Sequence, residues 1–400
     1  MRYRGGFVVL LAAATAASVS CSTTVTGQPG PGLAPVDVAA LKTGAYTPEP
    51  TAYAPDITTI PELRLIEARR MLNYLVHPFE IDSEISETSN QTFMTDADSM
   101  IGEKSFPELY RPVATDNNLL AGVYISGTNG NLRTRKKLII SILRFPTDTA
   151  GRAAADQFDQ LTNSNPGRHP VAIPGHPDAR ASSADDKTVT SFIAHGPYVI
   201  VANAALPQPN QAVVASNIGK AVDLQIARLD QQKPVPLDDL LDLPTDPDNI
   251  MRRALPEAPD FSDPFIGKDD FGYFEPSGEL HFERNPVEVQ KAFDESGVDL
   301  VGRRAAIIYR ARDLSGAFHL QSVLAKTGKN DEIIASPPGL PDTVCRKLDT
   351  RDDTRNYDQY CVVVYGRYTA VVIGSTFTGN LDPVLYQRAA AQYAILAKSE

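Results

Sequence analysis

The chain has 400 residues, 42% of them hydrophobic and 22% charged, a balance that supports folded domains and excludes wholesale disorder. At about 150 residues per domain this length suggests two, possibly three. The net charge of −11 argues against nucleic acid, whose binding rests on clustered Lys and Arg, and against attachment to anionic lipid by overall surface charge.

Arg2 and Arg4 precede an apolar run from Phe7 to Val19, which is too short for a membrane-spanning helix of ~20 residues. The run fits the hydrophobic region of a signal peptide over residues 1–20. Cys21 follows it, and then a Ser/Thr/Gly/Pro-rich tether over 21–57. A Cys at this place matches the acylated residue of a bacterial lipobox, although Ser18-Val19-Ser20 lacks the usual aliphatic residue three before it. Plain secretion, with cleavage near Ala14-Thr15-Ala16, is the alternative. With Cys21 lipidated, Cys345 and Cys361 remain as an even pair, expected to form a disulfide in an oxidising compartment.

Thr59-Ile60-Pro61-Glu62 has the form of a capping box opening a helix with Leu65, Ala68, Leu72 and Leu75 on one face. From Lys136 the sequence gives an apolar β-branched run, a turn, an Ala-rich helix and a loop, Pro174 to Arg180, reading PGHPDAR. The same order recurs from Arg303 and ends in PGLPDTV, Pro338 to Val344. Each loop precedes a hairpin whose turn is Gly196-Pro197 or Gly366-Arg367; glycine in the first position suits a type II′ turn. Each copy closes with a helix, on Val214, Ile218, Ala221 and Leu224 in the first and Leu385, Ala389 and Leu396 in the second. Asp382 before Pro383 reads as the N-cap of the last helix. Asn285 reads as the cap of a helix corresponding to the one after Thr59.

These patterns predict an α+β protein of two homologous domains, each an antiparallel sheet packed with helices, in which one strand–helix–hairpin–helix unit is duplicated. The first domain spans 58–230, a Pro/Asp-rich extended linker 231–264, and the second domain 265–400. The second copy has six more residues between its Pro-Gly loop and its hairpin turn, a longer loop that the cysteine pair is expected to pin.

The Cys21 tether, VDVAALKTGAY from Val36, EARRM at Glu67 to Met71, and the duplicated unit together resemble an uncharacterised two-domain lipoprotein family of mycolic-acid-forming actinobacteria. Each half also bears a distant likeness to compact α+β sensor or lipid-carrier domains of the same envelopes. The resemblance implies a protein on the outer face of the cytoplasmic membrane, held by its lipid, and implies no activity.

Sequence motifs of catalysis are sparse. Gly374 to Gly379, GSTFTG, is a near miss to a nucleophile elbow and has no neighbouring His; no H-E-x-x-H, P-loop, S-x-x-K or C-x-x-C occurs. His195 and His176 have Tyr365 and Leu340 as counterparts in the other copy, which favours packing; His195 with Tyr198 and Tyr365 with Tyr368 are expected as cross-strand ring pairs. His169 and His176 lack a metal spacing. Asp96/Asp98, Asp246/Asp248 and Asp352/Asp353 lack the rest of a calcium loop, and Arg346, Lys347, Arg351 and Arg355 are expected to neutralise the last pair. Arg133 to Lys137, RTRKK, is the one compact basic cluster, able to touch lipid headgroups or an acidic polymer but read first as a charged strand entry. No catalytic residue, metal ligand or cofactor is assigned. The leading expectation is a non-catalytic binding module for an envelope lipid, glycan or protein, attached to the membrane through its anchor and independent of nucleic acid. The alternatives are an envelope-modifying enzyme and a scaffold subunit of a membrane complex.

Overall fold

The computed structural model describes residues 32–258, 266–352, 357–375 and 380–399. The signal region, Cys21, Asp353, Arg355 and most of the GSTFTG stretch lie outside the described residues.

Thr59 caps α1 (Ile60–Leu72) by accepting from the Glu62 backbone, and Glu62 returns to the Thr59 N–H at 2.8 Å, so the capping box forms as its sequence specifies. There follow α2 (Pro78–Ile81), β1 (Glu87–Met94), α3 (Ala97–Met100), α4 (Arg111–Asp116), β2 (Ala121–Thr128), β3 (Lys137–Arg144) and α5 (Asp148–Asn163). The first half ends with β4 (His169–Pro170), β5 (Arg180–Ser183), β6 (Thr188–His195), β7 (Tyr198–Ala205) and α6 (Gln211–Gln231). The second half holds β8 (Gly272–Phe274), α7 (Pro276–Glu279), α8 (Pro286–Ser296), β9 (Leu300–Arg303), β10 (Ile307–Arg310) and α9 (Leu314–Leu324). It closes with β11 (Glu332–Ile334), β12 (Val344–Asp352), β13 (Tyr357–Tyr365), β14 (Tyr368–Gly374) and α10 (Leu385–Ala397).

Each half builds one seven-stranded sheet, in the orders β1-β2-β3-β7-β6-β5-β4 and β8-β9-β10-β14-β13-β12-β11, the second read from its other edge. The two orders correspond strand for strand, and the named pairings are antiparallel, as in the β3–β7 and β10–β14 ladders. The α+β class and the duplicated unit are therefore present in full. Both predicted hairpin turns form, with φ of +56° at Gly196 and +54° at Gly366, a conformation that glycine adopts without steric cost.

In the first half, residues of α1 and α6 pack on one face of the sheet with Ile140 and Ile142, while α4 and α5 pack on the other with Leu143 and Phe192. The alternation of side chains along β3 makes this three-layer core. The second half repeats it with α10 on one face and α8 and α9 on the other.

The structure corrects the pairing of leading helices. The helix after Asn285 lies between β8 and β9, the place that α4 holds between β1 and β2. Both helices end in the same way: Asn118 (φ +52°) and Gly297 (φ +64°) are left-handed, and the next residue's N–H reaches back to Ala114 O at 2.8 Å or Phe293 O at 2.9 Å. Asn285 holds the N-cap position of α8 without a side-chain cap bond. Among the described residues helix α1 thus has no α-helical counterpart. Its place on the α10 face is taken by two segments expected to be extended: Ile250, Met251, Ala254 and Leu255 of the linker, and Val36, Leu41, Tyr46 and Tyr53 of the tether. The tether is fixed there as a strap by Ala34 N–H to Asp342 (2.6 Å), Arg388 to the Tyr46 hydroxyl (2.9 Å) and Lys398 to Glu49 (2.5 Å).

Two further expectations change. Asp382 does not cap α10, whose N-cap is Val384; it is buried two residues earlier, where it accepts from Val384 N–H and pairs with Arg388 at 2.9 Å. The six extra residues do not form a loose loop. They lengthen β12 and β13, and Cys345 and Cys361 are register partners across that ladder, joined by the expected disulfide.

Candidate functional site

A cleft of about 480 Å³ opens in the second half, against the edge of the first. Its walls are the start of α8, the segment from Lys326 to Asp331 after α9, and the end of β12; Glu87 of β1 completes the rim. The Lys326–Asp331 segment is held by its own last residue. Asp331 accepts from Gly328 N–H at 2.6 Å and from Asp349 N–H at 3.0 Å, which ties the turn to β12. Asn330 donates to Asp349 at 3.3 Å, and Lys326 pairs with Glu288 at 2.5 Å. The backbone bond from Thr88 N–H to Arg284 O, 3.0 Å, fixes the two halves together at this edge. Among the described residues, Arg284 and Lys329 on the wall have no ion-pair partner.

Glu283, Leu324 and Tyr360 line both the cleft and a smaller interior recess with Phe282, Arg303 and Tyr309. Behind Glu283 lies a buried polar cluster. Arg303 donates to Glu279 at 2.5 Å, and the Tyr309 hydroxyl lies 3.3 Å from Glu279 and 3.0 Å from Glu283. Burial, opposed by Arg303 and reinforced by the charge of Glu283, pushes the Glu279 carboxyl up to about 8. The same burial raises the Tyr309 phenol far above its ordinary range.

A second buried cluster joins the halves. His77 and His281 stack with ring centroids 3.8 Å apart. His281 Nε2 meets Leu75 O at 3.2 Å, while His77 Nε2 and His281 Nδ1 are buried without a hydrogen-bond partner. Burial holds both imidazoles neutral: His281 is lowered to about 3, and His77 falls well below its usual value, with His281 and Arg228 adding to the effect.

The residues singled out in the sequence are dispersed. The disulfide lies on the α10 face of its sheet, whereas Tyr360, one residue before Cys361, faces the α8–α9 layer. His169, His176 and His195 each pair separately, with Asp186 (2.9 Å), Asp223 (2.9 Å) and Asp230 (2.7 Å). The ring pairs expected across the hairpin turns give way to contacts with the closing helices: His195 with Asp230, and Tyr365 with Tyr393 at 5.3 Å. Asp96 caps α3, Asp98 pairs with Arg111, Asp246 accepts from Met251 N–H at 2.7 Å, and Asp248 pairs with Arg310 at 2.7 Å. Arg346 and Lys347 turn to Ala325 O and Glu332 instead of Asp352. Among the described residues no group of three or more His, Cys, Asp or Glu is placed to hold a metal ion. Sequence reasoning missed the cleft because Lys326 to Asp331 carries only the signature of a turn. It missed the imidazole pair because nothing local links His77 to His281.

Two sheets of identical strand order, with a cleft at their seam, define a duplicated α+β module. The chain belongs to the DUF7373 family: residues 54–245 match the domain of unknown function (DUF7373) N-terminal and residues 250–399 match its C-terminal counterpart. Comparison with curated proteins gives no match. Among solved structures, the extracellular domain of PknH from Mycobacterium tuberculosis aligns at 11% identity over 42% of this chain and 96% of that one, with a TM-score of 0.31. A likeness that loose says nothing of this chain's activity.

Proposed function

We propose that the protein is an exported, lipid-anchored binding module whose cleft takes a polar, hydroxyl-rich ligand, a glycan of the cell envelope. The observation that carries this reading is the lining of the cleft: amide, hydroxyl and charged groups of both signs dominate its walls, and the turn that presents them is fixed by Asp331. Such a surface suits hydrogen bonding to a sugar and offers an acyl chain little apolar wall. Export is supported by the disulfide, which fits an oxidising compartment. Among the described residues no helix is long and apolar enough to cross a membrane, and attachment through Cys21 supplies the anchor in this reading.

Native mass spectrometry of the full chain, extracted gently from its own envelope, tests the proposal. Mass added in sugar increments beyond the acyl groups, and lost in a Lys329→Ala/Asn330→Ala variant, is the expected result. A bare polypeptide, or an adduct indifferent to that variant, would sink it. One observation favours an enzyme as second reading: the carboxyl groups of Glu279 and Glu283 meet on the Tyr309 hydroxyl behind the cleft, and burial pushes Glu279 up to about 8. Glu279 is fully buried, however, so a ligand in the cleft meets Glu283 first.

A further inference from the structure

The hairpin tip between β2 and β3 holds the most exposed large apolar side chain among the described residues, Leu132, at 89%. Single apolar residues on a surface are ordinary and need no account. This one differs in how it is held. The Asn129 side-chain Oδ1 accepts from Asn131 N–H (3.3 Å) and Lys136 N–H (3.1 Å), and its Nδ2 donates to Thr134 O at 2.9 Å. Asn131 accepts from Arg133 N–H and Thr134 N–H at 3.0 and 3.1 Å. Gly130 takes φ +65° to turn the chain, and Lys136 anchors the base of the loop to Asp82 and Glu84 at 2.9 and 3.0 Å. Two asparagines thus fix a loop whose apex is a leucine in water.

Arg133 and Arg135 follow that apex within three residues. Both are exposed, and among the described residues neither has an ion-pair partner. An apolar apex next to two exposed cations matches the boundary of an anionic bilayer, where the side chain enters the acyl region and the guanidiniums stay at the phosphates. A protein partner would need a pocket for a lone leucine; a bilayer needs none. Carboxylates also stand at the loop, Asp82 and Glu84 on Lys136 and Glu87 beside Gly130, while the rest of the net charge of −11 is screened beyond a Debye length of about 8 Å. The RTRKK cluster is therefore more than a charged strand entry. We propose that the 129–136 loop docks the protein on anionic lipid, a second membrane contact that does not depend on the cleft binding anything.

The test uses the full chain with Cys21→Ser, to remove the acyl group, and Leu132→Cys carrying an environment-sensitive fluorophore. Vesicles of phosphatidylcholine with one part in three phosphatidylglycerol should shift its emission to the blue, and pure phosphatidylcholine should not. Adding Arg133→Gln and Arg135→Gln should weaken the partition about 30-fold, near 1 kcal/mol for each cation. The arginine variant separates the loop from the N-terminal region, because Arg2, Arg4 and the Phe7–Val19 run are the same in both proteins. An unchanged emission, or a shift equal on neutral vesicles, overturns the proposal. A shift with soluble polyglutamate but not with vesicles would overturn it in favour of an acidic macromolecule.

Discussion

His281 and Glu279 sit two residues apart, and burial drives their pH responses in opposite directions. His281 is lowered to about 3 from the 6.5 of a free imidazole, so below pH 6.5 the unfolded chain binds more protons than the folded one. Its contribution to stability is whole above about pH 6.5 and is lost as pH falls towards 3, at up to about 1.4 kcal/mol per pH unit. Glu279 is raised from 4.5 to about 8; its contribution is whole below about pH 4.5 and is lost as pH rises through 8. Urea-unfolding midpoints measured from pH 4 to 9 should therefore fall off at both ends. His281→Phe, which keeps a ring against the equally buried His77, should make the acid side shallower, and Glu279→Gln should flatten the alkaline side. Profiles unaltered by either substitution would refute the assignment.

At the scale of elements, the longest hairpin of the second half carries the disulfide. Cys345 and Cys361 face each other across β12 and β13, with Cα atoms 4.0 Å apart and a sequence separation of 16. The first half has shorter strands at the same place, β5 and β6, and holds them without a cross-link. Closing a loop of this length removes freedom from the unfolded chain equivalent to about 3 kcal/mol in the entropy model. Reduction, or the double substitution to alanine, should lower the unfolding free energy by about 2–4 kcal/mol. Near-native far-ultraviolet circular dichroism at neutral pH should accompany that loss, because the ladder itself remains. Complete unfolding on reduction alone would show that the pair does more than close this hairpin.

At the scale of the whole molecule, the halves share their cores. Phe274 and Phe282 of the second half belong to the apolar cluster of the first, and the imidazole pair and the Thr88–Arg284 bond cross the same seam. The strap from residues 34 to 53 covers the α10 face far along the chain. Heat or urea should thus unfold both halves in one transition. Tyr46→Ala, which opens a cavity under the strap and leaves Arg388 without the Tyr46 hydroxyl, should cost about 2–4 kcal/mol and move that whole transition. Calorimetry that separates two transitions, with only the later part of the chain responding to Tyr46→Ala, would contradict a shared core.

How much of this was legible in the sequence depended on distance along the chain. The capping box at Thr59, the II′ turns at Gly196 and Gly366, and the helix faces on Val214 and Leu385 are short-range patterns, fixed by backbone sterics and by the periods of strand and helix. The duplication was readable because those patterns recur in order. Local rules failed where a segment's conformation depends on a remote surface. The strap and linker carry extended, proline-rich signatures, yet they fold down because, among the described residues, no α-helix takes the place of α1 on the α10 face. Asn285 resembled a leading cap because sequence similarity cannot tell which strands a helix connects. Composition and local pattern alone determined two repeated α+β units and a cysteine pair. Only the tertiary structure decided the seam, the cleft beside it, the buried Glu279 and the stacked imidazoles, since desolvation and contact between distant residues arise when the halves close on each other.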